Sequence, residues 1–183
     1  MTHQNTVYLL DANSLISAQG VYYPRSMIPE LWEWIIHQSH NNRIKIPIEI
    51  YEEVIAGNED PLTIWLREES VKNTLILEED ADPKLLAHVT YQGYAPDLTD
   101  VELAYIGRDP FLIAYALRQP KERCVVSLET PKPSAQRKNR KVPDVCKQLG
   151  AECCSVFKMM RDLAFSTRWN QPPIPAAPAQ AYE

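Results

Sequence analysis

Val7-Tyr8-Leu9-Leu10-Asp11-Ala12-Asn13-Ser14 passes from a short β-rich run straight into residues that start helices. Three further β-rich runs follow, at residues 43–46, 124–127 and 152–156, and helical patterns separate them. Ser26 is placed to cap a helix carrying Leu31, Trp34 and Ile35 on one face, and Pro47 opens another through Ile50, Val54 and Ile55 that Gly57 stops. Asp60-Pro61, Asp82-Pro83 and Asp109-Pro110 are cap-then-proline starts, the last of them before the most apolar helix of the chain, residues 111–117. Residues 97–106, 143–149 and 156–165 complete the helical set. Strands alternating with helices imply βαβ units. The expected fold is therefore α/β: one three-layer domain with a mainly parallel central sheet flanked by helices. The domain is expected over residues 1–168, and residues 169–183, rich in proline and alanine, are expected to form a disordered tail. The strand order is not legible from these runs.

Bulk properties narrow the class. A chain of 183 residues with 45% apolar content can bury one real core. It contains no apolar stretch near the roughly 20 residues that a membrane helix needs, and its polar first residues do not resemble a signal peptide. Cys124, Cys146, Cys153 and Cys154 form no CxxC pair and have no zinc spacing, so they read as small buried hydrophobes in a reducing cytoplasm. The net charge of -5 argues against a protein coated in nucleic acid. Positive charge is nevertheless gathered at Lys132, Arg137, Lys138, Arg140 and Lys141 with no acid among them, which suits either a phosphate contact or a solvated loop.

In open parallel sheets ligands bind beyond the carboxyl ends of the strands. Asp11 directly follows the first strand, and Glu129 holds a similar place in Val125-Val126-Ser127-Leu128-Glu129. Glu53 lies on a helix whose apolar residues face the core, with Glu52 beside it. Asp109 precedes an apolar helix, and Asp144 follows Pro143. Asp11, Asp109 and Asp144 are each equally placed to be helix caps, and an exposed surface acid is the commoner fate of a glutamate such as Glu53. Carboxylates from separate elements are also the natural ligands of hard cations such as magnesium. One or two such ions, about 4 Å apart when paired, activate water for phosphodiester cleavage.

Taken in order, these segments resemble the PIN-domain family, and within it a subgroup of PIN-like ribonuclease toxins long catalogued as a domain of unknown function. The resemblance rests on Leu9-Leu10-Asp11-Ala12-Asn13-Ser14-Leu15-Ile16, on residues 47–54 with Glu53, on Asp109-Pro110-Phe111-Leu112-Ile113-Ala114, on Val125-Val126-Ser127-Leu128-Glu129, and on Val142-Pro143-Asp144-Val145-Cys146 followed by Leu149-Gly150. Glu129 stands where the family more often has aspartate. The resemblance implies that Asp11, Glu53 and Asp109 bind magnesium or manganese, with Glu129 or Asp144 completing the acidic pocket and Asn13 or Ser127 orienting a ligand or a water. It further implies a cytoplasmic endoribonuclease that hydrolyses RNA through metal-activated water, acting as a toxin with an antitoxin partner and pairing as a homodimer. Residues 31–36 suit either a dimer interface or the core.

Other readings are weaker. A haloacid-dehalogenase-like phosphatase needs a second aspartate two residues after the first, where this chain has Asn13. No G-x-x-x-x-G-K phosphate loop exists among the scattered glycines. His37 and His40 have helical spacing but no third ligand, and the tryptophans read as core anchors. The rival from another class is a catalytically silent PIN-like module that binds RNA or protein through the same surface.

Overall fold

Val7–Leu10 forms the first strand, β1, and its residues Tyr8, Leu9 and Leu10 are all buried. A strand buried on both faces needs helices on both sides, which is the situation of a parallel sheet. The computed structural model describes residues 5–172 and contains four strands and ten α-helices among them. After β1 come α1 (Ala12–Ser17), α2 (Pro29–His40), β2 (Ile44–Lys45), α3 (Ile48–Ile55), α4 (Pro61–Arg67), α5 (Glu69–Leu75) and α6 (Pro83–His88). Then follow α7 (Asp100–Ile106), α8 (Asp109–Arg118), β3 (Arg123–Val126), α9 (Val142–Leu149), β4 (Glu152–Cys154) and α10 (Val156–Asp162). All pairings are parallel and the order is β2-β1-β3-β4. Tyr8 stands opposite Ile44, Leu10 opposite Val126, and Val126 opposite Cys154. The chain therefore builds outward from β1 in one direction to β2 and in the other to β3 and β4. The switch in direction falls between β1 and β3, where open α/β sheets bind their ligands.

The three-layer α/β expectation holds, with local differences at helix ends. Ser26 does not cap α2, because the amides of Met27 and Ile28 both return to the Pro24 carbonyl in a turn. The helix starts instead at Pro29, whose fixed φ suits a first helical position. Asp60 and Asp82 do cap, accepting from the Thr63 amide at 2.8 Å and the Lys84 amide at 2.8 Å. Thr99 and Glu102 close a capping box on α7. Leu31, Trp32, Trp34 and Ile35 are all buried, so the apolar face of residues 31–36 belongs to the core, with Glu33 exposed. Two wide π-type turns, Ala18–Tyr22 and Val89–Tyr94, continue α1 and α6. Trp169 returns to α2, where its indole donates to the Glu30 carbonyl at 3.1 Å and its ring lies 4.7 Å from that of His37. The expected proline- and alanine-rich tail lies outside the described residues from 173 onward. Among the described residues no helix is long and apolar enough to cross a membrane.

Candidate functional site

Asp11 follows β1 directly and is 2% exposed. It occupies the N-cap position of α1, where the nearby Asn13 amide favours its charge without closing a full cap hydrogen bond. Ser127, buried just beyond β3, donates its hydroxyl to Asp11 Oδ2 at 3.1 Å. The same hydroxyl accepts the Glu129 amide at 3.2 Å, so one serine ties the ends of β1 and β3 together and sets the course of the following loop. Glu129 then turns back over the switch point. Lys141 Nζ donates to its Oε1 at 2.7 Å, and the Val142 amide at the start of α9 donates to its Oε2 at 2.8 Å.

Asp109 sits in the first turn of α8, after Arg108 and Gly107. Gly107 has φ +53, a left-handed conformation that glycine takes without strain. A β-carbon there would lie 3.8 Å from Glu53 Oε1, which places the α3 carboxylate against the turn leading to Asp109. Four acids from four segments distant in sequence thus lie in one neighbourhood beyond the carboxyl ends of the sheet, near enough to act on one another's charge.

Their mutual electrostatics follow. Burial pushes Asp109 up from 3.8 to about 8; the charges of Asp11, Glu129 and Glu53 add to this, and Lys141 opposes it. Burial likewise raises Asp11 from 3.8 to about 6, opposed by the Ser127 hydroxyl and the nearby Asn13 amide and reinforced by Glu129 and Glu53. Glu53 is also raised by burial, with Arg108 opposing. Such a set of like charges favours the arrival of protons or a cation. Its oxygen-only donors match a hard divalent ion in kind. Among the described residues no three histidine, cysteine or acidic side chains stand close enough together to hold a metal ion.

The remaining sequence candidates are placed as follows. Asn13 is exposed beside Asp11. Glu52 and Glu53 are both exposed, and of the two only Glu53 is among the charges acting on Asp11 and Asp109. Asp144 accepts the Lys132 amide at 2.6 Å, pinning the loop before α9, and is likewise absent from those charges. Arg137 is held by Asp97 at 2.6 Å and by Glu102 at 2.7 Å. The Lys138 ammonium lies 4.8 Å from the centre of the Tyr105 ring. Arg140 donates to the Gly93 carbonyl and to the Gln148 side chain, and Lys132 is exposed. The basic run therefore fastens its own loop over the pocket, and Lys141 acts within the pocket as the counter-charge.

Tyr94 is the residue that sequence reasoning missed. Its hydroxyl is buried without a hydrogen-bond partner, and burial beside Asp109 pushes its acidity far down. A lone tyrosine after a glycine carries no sequence signal for this. Arg108 could have been noticed from its adjacency to Asp109. Over residues 8–167 the chain matches a family described as a domain of unknown function, DUF4411. No curated protein and no solved structure matches it.

Proposed function

The chain belongs to the DUF4411 family, and from its carboxylate pocket we propose a metal-dependent endoribonuclease of the PIN-like kind. The observation that carries this reading is the gathering of Asp11, Glu53, Asp109 and Glu129 near the switch point between β1 and β3, where burial first and the neighbouring acids second push Asp109 up to about 8. Asp11, Glu53 and Asp109 are the residues that would hold magnesium or manganese, with Glu129 completing the set. A divalent ion bound there supplies activation of a water and stabilisation of charge on the phosphate. The chain's own residues do the rest. Ser127 holds Asp11 in one orientation, Asp109 would have to give up its proton to serve as a ligand, and Lys141 and Arg108 offset part of the acids' charge, which would ease the approach of a polyanion. The resemblance to PIN-like toxins extends the proposal to a cytoplasmic toxin with an antitoxin partner; that extension rests on the resemblance alone.

The test is cleavage of a mixed RNA pool by the purified chain with magnesium, with manganese and with chelator, beside Asp109→Asn. Metal-dependent cutting that Asp109→Asn abolishes supports the nuclease. A folded protein that cuts under none of these conditions overturns it and leaves the silent RNA- or protein-binding module. Cutting that survives chelator but yields to a serine- or cysteine-directed inhibitor would refute the metal-water chemistry.

A further inference from the structure

Beside the acidic pocket the loop before α9 and the wide turn Val89–Tyr94 enclose an open cleft of about 370 Å³, lined by Tyr94, Pro133, Ala135, Gln136, Arg137 and Arg140. Two features of its lining stand out: a guanidinium without a carboxylate partner and a hydroxyl without any. Arg140 is the one arginine of the basic run with no carboxylate partner among the described residues: its acceptors are the Gly93 carbonyl, the Gln148 amide oxygen and, at 3.5 Å, the Asp144 carbonyl. These neutral acceptors fix the guanidinium in place while leaving its charge uncompensated. Tyr94 is 6% exposed and its hydroxyl has no partner, although a buried hydroxyl ordinarily finds one. Lys141, next in the chain to Arg140, donates to Glu129 Oε1 at 2.7 Å and the Val142 amide to Glu129 Oε2 at 2.8 Å, so the cleft adjoins the acids. Arg137, by contrast, is neutralised by Asp97 and Glu102 and serves as wall. A fixed positive charge in the cleft and an unpartnered hydroxyl buried in its wall are complementary to an anion with several acceptor oxygens.

We propose that this cleft is a phosphodiester subsite, in which Arg140 and Tyr94 hold a backbone phosphate of an RNA strand next to the one presented to Asp11, Glu53 and Asp109. The inference rests on the ribonuclease reading for the identity of the strand, and it assigns Tyr94 a binding role. A phosphate held here sets the register of the strand over the acids.

The test is binding of a single-stranded RNA oligonucleotide by the full chain in chelator, where no cleavage intervenes, for wild type, Tyr94→Phe and Arg140→Gln across a salt series. Tyr94→Phe removes only an unpartnered hydroxyl, so the melting temperature should hold or rise, and affinity should fall about tenfold as one charge-assisted hydrogen bond is lost. Arg140→Gln should also weaken binding and reduce the slope of log affinity against log salt by about 0.7, the value for one phosphate contact on a single strand. Unchanged affinity in Tyr94→Phe together with an unchanged slope in Arg140→Gln overturns the subsite. Because binding is read without metal, a chain that never cuts RNA can still show these losses; the subsite would then stand while the nuclease reading falls.

Discussion

Asp109 is the residue at which the chemistry of the pocket is most directly measurable. Its folded pKa of about 8 lies above the ordinary 3.8, so between those values the native state binds more protons than the unfolded chain. Stability contributed this way is present at low pH and is lost as pH rises through that window. Asp109→Asn removes the penalty of the charged form and should raise the melting temperature at pH 8 by a few degrees, with a smaller effect at pH 5. A thermal shift equal at both pH values would contradict the assignment. Ser127 offers a second test, since its hydroxyl orients Asp11 and bonds the Glu129 amide. Groups that orient a ligand in this way typically cost about 10–100-fold in metal affinity or activity when removed, and Ser127→Ala should lose that much while staying folded. Threonine at this position should restore part of the loss, which a purely structural role would not require. Asp11 and Asp109 were legible as candidates because they follow a strand and open a helix, yet each could equally have been a cap. Neither makes a side-chain cap in the structure.

Gly93 governs how the wide turn Val89–Tyr94 meets α9. A β-carbon there would lie 2.6 Å from Val145 Cγ1 and 3.1 Å from Leu149 Cδ1. The same glycine supplies the carbonyl that receives Arg140, so the approach positions Tyr94 and the cleft together. Gly93→Ala should destabilise by about 1–3 kcal/mol, the usual cost of overpacking, unless the two side chains rotate aside. Urea denaturation measures this, and a variant as stable as wild type would show that α9 yields without cost. The loop 131–141 is a related case. Its cations looked like a free basic stripe in sequence, but Arg137 and Lys141 meet acids brought in from residues 97, 102 and 129. Ion pairing across such separations cannot be seen in a local run of charge.

At the scale of the molecule, the proposed cation binding would share its protons with folding. Acids that must deprotonate to bind a metal bind it more tightly as pH rises. Magnesium or manganese should therefore raise the melting temperature of wild type, more at pH 8 than at pH 5, and by about 2.7 kcal/mol of stability at a hundred times the dissociation constant. A chain whose melting is indifferent to both ions at either pH has no such site. The amino-acid sequence by itself determined the alternation of strands and helices, and hence a parallel α/β sheet, because hydrophobic period and proline-linked caps are local signals. It also marked Asp11, Glu53, Asp109 and Glu129 as acids at the ends or on the faces of those elements. Only the tertiary structure decided the order β2-β1-β3-β4, the nearness of Glu53 rather than Glu52 to Asp109, the latch through Ser127, and the idle hydroxyl of Tyr94. Each of these depends on which distant segments lie side by side, and hence on which partners and how much solvent reach a given side chain. Those are properties of the packed chain that no local pattern of residues encodes.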